Sequence, residues 1–381
     1  MATETETPVC PQAQLSTRLY NGIAIYAFQG ITSPLRWVKN WNEWMWPTGI
    51  APNFVKTYDS RPYLPVHIFF PKDYDQTSPE SLPLMFSIHG GGFCLGGPED
   101  DDGVNRSLAD KHRFLVVELN YRKAPWYPFP TAIHDLEALM LAVIADESLP
   151  IDKDRVAITG FSAGGNLTLS LAQLPSIREK VKPSALLPVY PTTDMEIPTS
   201  DRIKRRFYKP ELLPGACGSA TDFLAKASPI FKWSYINPGQ NLRDPLLSSF
   251  YAPRDTLPPN IYIVAAELDQ LAHEAWRMAC KLAGRPGPAA DDIVGQRIPA
   301  AQKGALILDN ERFAWQQDGP DGSIRWLLVP DQVHGFDHLP PRMYGDLPSF
   351  EDAQTKTELY QKLQAEWLYE VVWKKSAARS D

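Results

Sequence analysis

Six short, nearly continuous apolar runs punctuate the chain: Leu84 to Ile88, Phe114 to Leu119, Val156 to Thr159, Leu186 to Tyr190, Ile261 to Ala265 and Trp326 to Val329. Runs this short, with little polar alternation, suit strands of a parallel sheet covered on both faces. Helical patterns separate several of them, over 130–144, 165–174 and 273–282. The alternation predicts an α/β fold, with a mostly parallel central sheet and helices on both faces. Ahead of it, Phe54–Tyr58 and Leu64–Phe70 flank the turn residues 59–62 and read as a hairpin. Residues 15–46 read as two short helices broken at Pro34, and 352–375 as a closing amphipathic helix. The core is expected to run over 51–194 and 241–381, interrupted by an insertion at 195–240 and a polar surface excursion at 284–323.

Composition narrows the function classes. The 381 residues carry 38 Lys+Arg against 45 Asp+Glu, a net charge of −7, and the densest basic stretch, Arg202 to Arg206, is short. No nucleic-acid partner is expected. The 36 prolines, about twice the usual share, exclude a coiled coil and predict short helices. The start is acidic where a secretory signal is basic, and no window of 18 apolar residues occurs, so a cytoplasmic protein without a transmembrane segment is expected. The aromatics around Trp37, Trp41, Trp44 and Trp46 could form a membrane-interface belt, but packing on the core is the favoured reading. Cys10, Cys94, Cys217 and Cys280 are scattered without ligand spacing and read as reduced thiols. No metal or nucleotide motif is present, and no cofactor is expected. A homodimer is compatible with the sequence.

The chemistry concentrates at Gly160-Phe161-Ser162-Ala163-Gly164, directly after one apolar run and before a helical pattern. A serine on a tight strand-to-helix turn leaves little room for neighbouring side chains, which glycines two residues to either side relieve. His89 to Phe93 places three consecutive glycines after the run Leu84 to Ile88. Without Cβ atoms, backbone amides there can turn toward an oxyanion, with the amide of Ala163 as the matching donor. A serine nucleophile needs an imidazole base, and that base needs a carboxylate to orient it. Asp269 and His334 each follow an apolar run, in the order serine, acid, histidine. Asp331 and Asp337 compete as the acid, yet close neighbours of His334 on one tight loop rarely reach its ring nitrogen. His338 is the nearest rival base.

These residues resemble the hormone-sensitive-lipase-like branch of the α/β-hydrolases, which includes arylacetamide deacetylases and fungal carboxylesterases. The stretch 160–167 is similar to the family's GDSAGGNL and 89–93 to its HGGGF. Residues 120–126 with Pro128, Pro130 and Asp135 are similar to DYRLAPE, PFP and a downstream Asp, 267–271 to the acid loop, and 334–336 to HGF. The resemblance covers about 54–338 and implies Ser162 as nucleophile, Asp269 as acid and His334 as base. Gly91, Gly92 and Ala163 would supply the oxyanion amides, with His89 bracing the loop. It also implies a helical cap built from 1–50 and 195–240. Asn120, Trp126, Phe161 and His273 stand where the family carries acidic residues. The loss of those carboxylates and the gain of two aromatics suggest a bulky hydrophobic substrate, an ester or lactone, lined by Phe93, Trp126 and Phe161. The expected activity is that of a serine carboxylesterase; the alternative is a biosynthetic cyclase, lyase or acyltransferase of secondary metabolism on the same scaffold. A binding protein without turnover is disfavoured, since His334 and the acid are both present.

Overall fold

The computed structural model describes residues 7–77, 80–319 and 322–374. Its strands are β1 (Phe54–Tyr58), β2 (Arg61–Phe69), β3 (Leu82–Ile88), β4 (Leu115–Leu119), β5 (Ile151–Phe161), β6 (Ala185–Val189), β7 (Asn260–Ala266), β8 (Ala314–Gly319) and β9 (Gly322–Val329). They form one sheet in the order β1-β2-β4-β3-β5-β6-β7-β9-β8. From β4 to β9 every neighbouring pair is parallel. The antiparallel pairs lie at the edges, β1–β2 and β2–β4 on one side and β8–β9 on the other.

The helices are α1 (Leu15–Met45), α2 (Asp102–His112), α3 (Thr131–Ile144), α4 (Ala163–Leu171), α5 (Thr199–Arg202), α6 (Leu224–Tyr235), α7 (Ala272–Leu282) and α8 (Leu347–Trp367). Alternate residues of each strand feed opposite cores. Leu84, Phe86, Val117 and Ile158 pack with Leu136 of α3, Leu167 of α4 and Met278 of α7. Met85, Val116 and Ala157 pack on the other face with Leu108 of α2 and Tyr360 and Trp367 of α8. Continuous apolar runs are therefore what both faces require.

Two expectations are corrected. Residues 15–46 do not form two helices: α1 is continuous, and Pro34 lies inside it on an exposed position. A proline inside a helix loses its own hydrogen bond and crowds the carbonyl four residues back, here that of Gly30, and α1 runs on despite both. The stretch 284–323 is not wholly a surface excursion either. Val294 and Phe313 are buried, and β8 adds an edge strand to β9. Its half-exposed sequence, Ala314 to Gly319, carries polar residues because an edge strand is covered less.

Candidate active site

Strand β5 delivers the chain into the serine turn. Ser162 has φ +57° and ψ −113°, a region that L-residues rarely occupy, and its N–H donates to Val189 O at 3.0 Å on the neighbouring strand. The flanking glycines are sterically obligatory. A Cβ on Gly164 would lie 1.9 Å from Ile88 O, and one on Gly160 would lie 2.4 Å from Gly164 O. Close passage of α4 across the end of β3 thus depends on the missing side chains. Helix α4 starts at Ala163, with its amino end beside the hydroxyl.

Strands β7 and β9 bring in the other two groups. Ser162 Oγ donates to His334 Nε2 at 2.8 Å, and His334 Nδ1 donates to Asp269 Oδ2 at 2.7 Å. The other oxygen of Asp269 accepts the Leu271 amide at 2.9 Å. The Tyr190 ring packs 4.8 Å from the imidazole and helps to fix its plane. Burial disfavours a charged imidazole, but the adjacent Asp269 carboxylate outweighs it and holds His334 above its ordinary value.

The competing side chains are engaged elsewhere. Asp331 accepts from Lys209 Nζ at 2.6 Å and from the Ala300 amide at 2.7 Å. Asp337 accepts from Tyr190 and Tyr360 hydroxyls, each at 2.5 Å, and pairs with His338 Nδ1 at 2.8 Å. The second nitrogen of His338 lies 3.2 Å from Asp101. Burial opposes its charge, yet the two carboxylates keep it protonated well above the ordinary range. It is a structural cation, not a base.

The glycine loop faces the serine from β3. Amides of Gly91, Gly92 and Ala163 make no hydrogen bond among the described residues, which leaves them open to an incoming oxyanion. The loop is braced from below. His89 Nδ1 donates to Gly90 O at 2.7 Å, its ring stacks on Tyr121 at 4.5 Å, and Lys123 Nζ lies 3.1 Å from its Nε2. Burial and the nearby Arg36 push the Lys123 ammonium down to about 7. Lys123 was not singled out from the sequence, although it stands where the family motif has leucine.

Ser162 opens onto two compartments. One is small, about 50 Å³, and lined by Phe93, Met195, Phe231, Tyr235 and Leu271 among others. The other, about 430 Å³, is lined by Phe161, Phe231, His334 and His338, with Lys39, Asp100 and Asp101 at its polar side. Phe93 lines the first compartment and Phe161 the second. Trp126, expected beside them, lines neither: it is 73% exposed and packs on Tyr26 of α1, 5.8 Å away. His273 is buried and its Nε2 donates to Ala289 O, and Asn120 accepts from Lys123 Nζ. Of the four departures from the family pattern, Phe161 is the one that lines a compartment.

Further groups escaped the sequence reading. Buried Lys209, in the 195–240 insertion, bridges Glu267 and Asp331 at 2.8 and 2.6 Å, two and three residues from Asp269 and His334. Arg202, read only as part of a basic stretch, pairs with buried Glu274 at 2.7 Å. Asp222 accepts the Gln270 amide at 2.8 Å beside the acid. Long-range ion pairs between an irregular insertion and the sheet have no local signature.

Together, a parallel sheet and a serine elbow facing a histidine and an acid on later strands define an α/β-hydrolase. A model of the alpha/beta hydrolase fold matches residues 85–290, and the chain belongs to that family. Within it, the chain sits in the hormone-sensitive-lipase-like branch. It is 31% identical over 222 residues to an arylesterase of Saccharolobus solfataricus, covering 58% of this chain and 66% of the relative. To arylacetamide deacetylase of Oryctolagus cuniculus it is 37% identical over 146 residues, 36% of each chain. The chain therefore aligns with less than two thirds of either relative. The structure of a hyperthermophilic esterase from the archaeon Pyrobaculum calidifontis superposes with a TM-score of 0.60 at 22% identity, covering 93% of this chain and 99% of that one, a likeness of fold.

Proposed function

We propose that this chain is a serine carboxylic-ester hydrolase that works through an acyl-enzyme at Ser162. The observation that carries the proposal is the unbroken line of hydrogen bonds from Ser162 Oγ through His334 to Asp269. In the proposed reaction, Oγ attacks the ester carbonyl as His334 Nε2 takes its proton, and the resulting imidazolium is held by Asp269. The carbonyl oxygen gains negative charge beside the amides of Gly91, Gly92 and Ala163. His334 then protonates the departing alcohol, and a water molecule, deprotonated by the same nitrogen, releases the acid. A relative named as an arylesterase supports ester chemistry, and one named as an arylacetamide deacetylase supports acyl-group hydrolysis more broadly.

The unequal compartments refine the substrate. One half of the ester is small, to fit about 50 Å³, and the bulky half occupies the compartment of about 430 Å³. Its lining is mixed, so the bulky group carries polar atoms as well as apolar surface. A fluorophosphonate probe is expected to label Ser162 alone. Ser162→Ala should lose both the label and p-nitrophenyl ester cleavage, with kcat down by on the order of 10⁶-fold. Undiminished turnover by that variant would overturn the acyl-enzyme.

A further inference from the structure

Helix α1 is built inside out. At 3.6 residues per turn, Asn21, Ile25, Gln29, Thr32 and Arg36, which meet the body of the protein, fall within an arc of about 80°, with half-buried Gly22 and Ala24 on its two flanks. Gln29 donates to the carbonyls of Cys94 and Ala124 at 2.9 and 2.8 Å, and Arg36 and Lys39 both reach Glu99. All four charged residues of the helix, Arg18, Arg36, Lys39 and Glu43, lie on this side. The opposite arc, about 220° wide, carries no charge at all. It presents Leu19, Ile23, Ile31, Trp37, Trp41 and Trp44, each exposed, among thirteen exposed large apolar side chains of the helix.

Their combined area is on the order of 1,000 Å², well beyond the few hundred Å² that soluble monomers leave open. Area alone would also satisfy a protein partner, which needs about 800 Å² per side. The arc decides otherwise. A packed helix covers a stripe roughly 100° wide, so more than half of this face would stay wet in a pairing of two copies. No charged residue on the face could set the register of such a pairing. A fluid hydrocarbon boundary wets any curvature, and indole rings favour its headgroup level. Among the described residues no helix is long and apolar enough to cross a membrane, so α1 would lie in the interface.

The geometry points to α1 as a membrane-docking element that seats its charge-free face in the headgroup layer of an uncharged lipid surface. Thr32 and Lys39, on the inward side of the same helix, line the larger compartment beside Ser162, so docking sets α1 between that compartment and the lipid. In flotation with phosphatidylcholine vesicles, the full chain should rise with the lipid at low and at 0.5 M salt alike, since no basic patch contributes. Trp37→Gln/Trp41→Gln/Trp44→Gln should remain at the bottom while its circular dichroism and its turnover of soluble p-nitrophenyl acetate match the parent. The proposal is overturned if the parent fails to float, if the triple variant floats equally well, or if light scattering shows a lipid-free dimer that the triple substitution dissociates. The last result would make this face an interface between copies.

Discussion

Ser162 holds a backbone conformation worth about 1–3 kcal/mol of strain, sustained by the hydrogen bond from its N–H to Val189 O and by the two glycines that let α4 approach. The strain aims the hydroxyl at His334. Activity needs that imidazole neutral, and Asp269 raises its pKa, so kcat/KM should fall as pH drops through a value above about 6.5. Asp269→Asn removes the charge that raises it. The acid limb should then move to lower pH while kcat falls by on the order of 10⁴-fold. Paired pH–rate profiles measure both effects; an unmoved limb would assign it to another group. That Ser162, His334 and Asp269 meet was readable from order and context along the chain, because a strand-to-helix turn leaves a local trace in glycine spacing. Lys123 left no such trace, since a lysine buried under a loop looks like any surface lysine in the sequence.

At the scale of elements, the insertion 195–240 and the 284–323 segment converge on the acid and histidine loops. Lys209 comes from the first, while the amides of Gln296 and Ala300, from the second, donate to Glu267 and Asp331. Lys209→Met would leave two buried carboxylates facing each other without their cation. Urea unfolding should register a loss of about 3–5 kcal/mol, and a loss below about 1 kcal/mol would show that the carboxylates find other partners. Elements whose residues obey a period were legible: β3, β4, β6, β7, α3 and α7 lie close to where the apolar patterns put them. Helix α1 was not, because a proline normally ends a helix, and here contacts on both sides of it, from Gln29 before and from Arg36 and Lys39 after, hold the chain helical through it. Edge strand β8 was missed for a different reason: four of its six residues face water, so no apolar run marks it.

Across the whole molecule, burial of ionisable groups ties stability to pH. Glu118 on β4 is enclosed between the sheet and α2, accepts from Asn105 at 2.9 Å, and burial raises its pKa well above the ordinary value, with Asp101 adding to the shift. A raised value means that the folded state keeps the proton longer. This contribution to stability is present below the unfolded pKa, about 4.3, and is lost as pH rises through the folded one. Glu118→Gln, which mimics the protonated form, should match the parent in urea unfolding near pH 4 and exceed it at pH 9; equal stabilities at both would refute the assignment. The alternation of apolar runs and helical patterns was enough to establish a doubly covered parallel sheet, since burial of both faces is written in every strand. The serine turn and the chain order of its partners were equally plain, being local backbone requirements. Which aromatics reach the substrate was beyond such reading: Phe161 lines a compartment and Trp126 turns away to Tyr26. Nor did local pattern reveal the buried ion pairs or the outward-facing apolar helix. Those depend on distances between segments far apart in the chain, and residue type and period carry no information about which surfaces finally meet.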